Sequence, residues 1–216
     1  KLLKKVTLPI INHDKLEQME NMFQDCVSLT KVEFTGNFRT HNVNNMQNMF
    51  QGCINLISIN FPNDFDTSNV TRINDMFSGC YSLISINFNI FKTANMKNVA
   101  CLFDSTRLSN YYVNHFDTSL ITNMEYMFNN CSQVISLDLS KFNLSNIKKM
   151  NNMFSNNDNL QYVNFGTNEI NETVNAANIF ENSNKKMIIY VNKKNPEDFF
   201  YNTNTTVAIA ECGNIS

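Results

Sequence analysis

Apolar residues recur along this chain in two alternating registers, and the pair of registers returns about every 26 residues. In the first, Val70, Ile73, Met76, Phe77 and Cys80 fall on one face of a 3.6-residue period. Val43, Met46, Met49, Phe50 and Cys53 repeat it, as do Ile121, Met124, Met127, Phe128 and Cys131. This spacing predicts a short helix in each repeat. Short oxygen-bearing residues precede it, such as Asp66-Thr67-Ser68-Asn69 and Asp117-Thr118-Ser119, suited to accept the free N–H groups of a first turn.

The second register is strand-like. Leu56, Ile59 and Phe61 alternate with Ser58 and Asn60, and the same line appears in Leu3/Val6/Leu8, Leu29/Val32/Phe34, Leu83/Ile86/Phe88, Leu108/Tyr111/Val113, Val134/Leu137/Leu139 and Leu160/Val163/Phe165, weakening to Ile189/Val191. Parallel strands need a crossover, which one short helix per repeat would supply. The expected fold is therefore α/β: a leucine-rich-repeat-like solenoid of about eight coils, with a parallel sheet on one face and short helices on the other. Aligned on their phenylalanines, the repeats place Phe23, Phe50, Phe77, Phe103, Phe128, Phe154 and Phe180 at one structural position, with Cys26, Cys53, Cys80 and Cys131 three residues on. Thr106, Asn157 and Ser183 stand where the later repeats lack that cysteine, and one residue is missing between Phe103 and Leu108.

Residues 1–186 form the repeating array in this reading. Residues 187–216 form a C-terminal capping coil of the same domain, with a helix start at Asn195-Pro196-Glu197-Asp198 and a last strand at Val207-Ala208-Ile209.

The repeat resembles the BspA-like leucine-rich-repeat family. The segments Phe65-Asp66-Thr67-Ser68-Asn69-Val70-Thr71, Met76-Phe77-Ser78-Gly79-Cys80 and Tyr81-Ser82-Leu83-Ile84-Ser85-Ile86 look like the variety found in surface lipoproteins of mycoplasmas. The resemblance implies a cell-surface or secreted protein, lipid-anchored through a segment preceding this sequence, with a role in adhesion or host interaction.

Composition narrows the partners. Of 216 residues, 43% are hydrophobic and 17% charged, with a net charge of -2, so there is no basic footprint for nucleic acid. No run of about 18 apolar residues occurs, so direct membrane insertion is not expected. Asparagine is the commonest residue and interleaves with the periodic apolar positions, as turn and ladder residues of a solenoid would. Glycine-rich phosphate loops, His-Glu-x-x-His and Gly-x-Ser-x-Gly are all absent, and no catalytic residue, cofactor or metal site is assigned. The motif cysteines read as buried free thiols, because equivalent residues on helices about 8–10 Å apart are too distant for a disulfide. Cys101 and Cys212 lie off the motif and are the better candidates for reactive thiols. His13, His41 and His115 stand alone near turns.

Alternation leaves the outward strand positions as the candidate binding surface: Lys31, Glu33, Asn60, Asn87, Tyr112, Asp138, Tyr162, Asn164 and Tyr190. Tyrosines among Asn and Ser offer a rigid apolar body with a polar tip, suited to a protein or a glycan. The expected function is a cell-surface module binding a host or matrix partner through this face. A structural spacer presenting another domain is the alternative, and a hydrolase without a recognisable motif a third.

Overall fold

A computed structural model of the chain describes residues 4–8, 15–35, 38–171, 173–191 and 208–211. Seven strands are present among them: β1 Lys5–Leu8, β2 Lys31–Phe34, β3 Ser58–Asn60, β4 Ser136–Asp138, β5 Tyr162–Asn164, β6 Ile188–Val191 and β7 Ala208–Glu211. All pair in parallel with their sequence neighbours, as β1-β2-β3 and β4-β5-β6-β7. Pairing places Val32 beside Ile59 and Val163 beside Ile189, so the inward aliphatics stack coil upon coil. The solenoid is thus a right reading of the period. The C-terminal coil read at residues 187–216 contributes β6 and β7, and the Pro196 helix start lies outside the described residues.

The row of short helices does not form. Among the described residues the only helical element is a 3-10 turn, Phe88–Ile90, and each Met-Phe segment is instead a run of overlapping turns. Around Phe50, the amides of Met49, Gln51 and Cys53 donate to the carbonyls of Met46, Asn48 and Phe50. The alternate amides of Met46, Asn48, Phe50 and Gly52 leave their own coil and donate to Arg72, Asn74, Met76 and Ser78 of the next. Left-handed residues make this possible. They lie two before and two after each ladder phenylalanine, at Asn21 and Asp25, Asn48 and Gly52, Asp75 and Gly79, Cys101 and Ser105, Tyr126 and Asn130, Asn152 and Asn156, and Asn178 and Asn182. A left-handed residue every fourth position breaks an α-helix, while an i to i+3 turn keeps the apolar spacing that a helix would show. A second parallel ladder, one bridge wide, runs through Gln18, Asn45, Arg72, Asn98, Asn123, Lys149 and Asn175.

The core is a stack of rings. Phe23, Phe50, Phe77, Phe103, Phe128, Phe154 and Phe180 are buried and lie face over face, with successive centroids 5.4, 5.9, 6.3, 5.5, 5.9 and 5.2 Å apart. Beside it runs a ladder of buried threonines. The Thr67 hydroxyl donates to the Lys92 carbonyl and accepts the Lys92 amide, and Thr40 and Thr118 bind Asp66 and Asn143 in the same way. Backbone groups that no strand pairs are satisfied one coil away by a side chain.

Two of the expected strands are missing. Residues 83–88 contribute one bridge, Ser58 to Ser85, and residues 108–113 none, so the sheet is interrupted between β3 and β4. After Asn87 the chain turns at once into the 3-10 element, because the Asn87 side chain caps the amide of Asn89 at 3.2 Å. In the next coil Tyr111 takes the inward aliphatic position. Its ring packs between Phe103 and Phe128 and its hydroxyl meets Thr106 Oγ1 at 2.9 Å. Tyr112, with φ of 20°, then departs from the extended backbone that a strand requires.

Candidate binding face

The predicted face residues are outward or half-exposed, in two groups. Lys31, Glu33 and Asn60 sit on β2 and β3; Asp138, Tyr162, Asn164 and Tyr190 sit on β4, β5 and β6. Asn87 and Tyr112 occupy the irregular coils between them, Asn87 as the cap described above and Tyr112 as the most exposed large hydrophobic side chain among the described residues, at 68%. Clamping this interruption, His115 places one ring nitrogen 3.0 Å from the Tyr112 carbonyl and the other 2.8 Å from that of Phe88.

The N-terminal group is ionic. Glu33 lies between Lys31 at 2.6 Å and Lys5 at 2.8 Å, and the two ammonium groups, Lys31 foremost, hold its carboxyl down to about 2. The C-terminal group is aromatic and polar. Tyr162 and Tyr190 meet edge to face with centroids 4.8 Å apart, and Asp138 accepts the amide groups of Asn164 at 3.1 Å and Asn114 at 3.4 Å.

The sequence reading missed the apolar part of the surface. Val27, Ile54 and Tyr81 hold one repeat position, four residues after the ladder phenylalanine, and all three side chains are exposed. Ile57 and Ile84, three residues further on, form a second exposed column at the strand entrance, at 47% and 59%. The register of Ser58 with Ser85 sets Ile57 beside Ile84. Strict alternation, carried back from Ser58, assigns Ile57 to the interior; Leu56 takes that place, because the turn that opens the strand leaves two successive residues outward. The signal was available as apolar residues off the core register in three successive repeats.

The motif cysteines have a second role. Cys53, Cys80 and Cys131 each donate Sγ–H to the carbonyl of the phenylalanine one coil back, Phe23, Phe50 and Phe103, at 3.0, 3.1 and 3.2 Å. Where cysteine is replaced, Asn157 and Ser183 make the same bond to Phe128 and Phe154 at 2.7 and 2.6 Å. Thr106 turns instead to Phe103 of its own coil. Burial pushes the Cys53 and Cys131 thiols up to about 12, and that of Cys80 upward as well. All five described cysteines are unbridged. Cys101, read from the sequence as a candidate reactive thiol, is half-buried, and burial, with Asp75, Asp104 and Glu125 around it, raises its pKa and disfavours the thiolate that reaction requires. Cys212 lies outside the described residues.

On the bridge-ladder side, a groove of about 420 Å³ is lined by Gln47, Thr71, Arg72, Asn74, Lys97 and Asn98. No group of His, Cys, Asp and Glu among the described residues could hold a metal ion, and no helix of the described residues is long and apolar enough to cross a membrane.

Together these features define a leucine-rich-repeat-like solenoid whose outward strand face is interrupted between β3 and β4. The chain belongs to the family described as "Mycoplasma protein of unknown function, DUF285", whose model matches residues 17–133 and 84–193. This agrees with the mycoplasma-type, BspA-like repeat pattern. Two solved structures are similar to it: the leucine-rich repeat protein TpLRR of T. pallidum, 16% identical over 97% of this chain and 88% of that one with a TM-score of 0.46, and a leucine-rich repeat protein of Bacteroides ovatus, 15% identical over 95% and 69% with a TM-score of 0.38. No curated protein matches.

Proposed function

We propose that this protein is a cell-surface interaction module that engages a host or matrix partner, protein or glycan, through the strand face and its entrance rim. The carrying observation is the pair of exposed apolar columns, Val27-Ile54-Tyr81 and Ile57-Ile84, set at regular spacing on a rigid stack. Exposed apolar side chains that recur in successive coils form a patch of the kind used for docking, whereas singly scattered ones need no explanation. Rigidity adds to this. A backbone held by coil-to-coil hydrogen bonds has little freedom left to lose on binding, which lowers the cost of association. Its repeat pattern supports display at the cell surface, and nothing in the reading requires the protein to be an enzyme.

The test is binding of the purified chain to an array of immobilised extracellular-matrix proteins, serum proteins and glycans. A saturable partner is expected. An empty array would overturn this reading and favour the spacer, in which the same stiff stack holds another domain away from the cell.

A further inference from the structure

We infer that the tyrosine-bearing end of the strand face, from Tyr112 to Tyr190, binds an uncharged oligosaccharide; this rests on the interaction-module reading and names the ligand class of one part of its face. The outward positions of β4, β5 and β6 form two columns, Ser136-Tyr162-Ile188 and Asp138-Asn164-Tyr190, fixed by the strand register. Aromatic rings stand at one end, where Tyr162 and Tyr190 form their edge-to-face pair, and at the other, where Tyr112 projects into solvent.

Between the rings lies a rigid hydrogen-bonding row. The Asp138 carboxylate accepts Asn164 Nδ2, Asn114 Nδ2 and the Ser140 amide. A carboxylate offers about four acceptor sites and a carboxamide nitrogen two donors, so each of these groups keeps capacity to spare. Those spare sites are acceptors and donors side by side, the pairing that a sugar hydroxyl needs.

Charge and polarity exclude other ligands. None of the outward residues of β4, β5 and β6 is a lysine or arginine, which leaves nothing to hold a sulfated or phosphorylated chain. Ile135, at 56%, and Ile188 are exposed at this end too, but a carboxylate and amides lie between the rings, unlike the dry centre that protein interfaces depend on. Neighbouring strands lie about 4.8 Å apart, close to the length of one pyranose, so successive sugar units would meet successive coils.

The experiment is saturation-transfer NMR on the intact protein with maltotriose, cellotriose, chitotriose and mannotriose, and a sulfated heparin trisaccharide for comparison. At least one neutral trisaccharide should bind, with little dependence on salt. Tyr112→Ala with Tyr190→Ala should weaken it by about tenfold or more, Tyr190→Phe should keep most of the affinity, and Lys148→Glu on the turn side should leave it unchanged. Thermal melts confirm folding of each variant. Absence of neutral binding, preference for the sulfated sugar, or binding indifferent to the tyrosines would overturn the inference. If sugars fail while a protein partner is captured and lost in Ile57→Asp with Ile84→Asp, the glycan assignment alone falls. If the face binds neither, the interaction-module reading falls with it.

Discussion

The carbonyls of Phe23, Phe50 and Phe103 each accept the amide three residues ahead and a cysteine thiol from the coil above. Those of Phe128 and Phe154 accept Asn157 and Ser183 from above, while the amides of Cys131 and Asn157 turn to Asn157 Oδ1 and Ser183 Oγ. Cysteine, asparagine and serine all donate to that carbonyl, so they are equivalent as donors although they look like departures in the sequence. The equivalence was illegible because the acceptor is a backbone group 29 or 30 residues back in most cases. Cys80→Ala removes the donor and a buried sulfur and should cost about 1–3 kcal/mol, while Cys80→Ser keeps the donor and should cost less than half of that, as read from urea midpoints. Glu33 supplies a second test at this scale. Its folded pKa is about 2 against an ordinary 4.5, so its contribution is fully present above about 4.5 and is lost as the pH falls through about 2. Melting temperature followed across that window should fall less steeply in Glu33→Gln than in the wild type.

The turn block is the element the hydrophobic pattern disguised. The core positions of these blocks were legible, and Val43, Met46, Met49, Phe50 and Cys53 and their equivalents around Phe77 and Phe128 are buried, because a turn every three residues and a helix of 3.6 place apolar side chains almost alike. The buried column Phe38, Phe65, Phe91, Phe116 and Phe142 lies outside both registers. What separates them is the residue two before and two after each phenylalanine. Asn48, Gly52, Gly79, Asn152, Asn156, Asn178 and Asn182 are types that tolerate the left-handed region, and their recurrence is the turn signal. Tyr126 breaks that rule, at φ of 56° with its ring exposed. Tyr126→Asn should therefore stabilise the protein by about 0.5–1 kcal/mol in urea unfolding. Gly166→Ala tests the opposite case. A Cβ there would lie 2.8 Å from Ser140 Cβ and 2.9 Å from Ser140 Cα, whereas at Gly79 it would meet only ordinary contacts beyond 3.5 Å. Both positions have positive φ, so both variants should lose stability, about 1 kcal/mol at Gly79 and clearly more at Gly166.

Across the whole molecule, the phenylalanine stack runs unbroken through seven coils while the sheet does not. The period of the sequence shows the stack directly. The interruption follows from particular residues, Asn87 capping a turn and Tyr111 filling an aliphatic site, whose effect depends on neighbours one coil away. It divides the face into an end that carries the Glu33 ion pairs and an end that carries the tyrosine pair. Nearest-neighbour stacking makes these ends locally supported, so outward substitutions at one should leave the other intact. The same geometry explains why the tyrosines were legible as surface residues and Ile57 was not: alternation predicts side-chain direction inside a strand, and Ile57 lies just before one.

The central claim is that the strand face and its rim are the surface this protein uses. The most direct measurement is the dissociation constant of a partner found on the matrix and serum array, compared among the wild type, Ile57→Asp with Ile84→Asp, and Lys148→Glu on the turn side, all with unchanged thermal melts. The account predicts that the paired isoleucine variant loses at least about tenfold in affinity and that Lys148→Glu binds as the wild type does. Affinity that survives both isoleucine substitutions but falls with Lys148→Glu would contradict it.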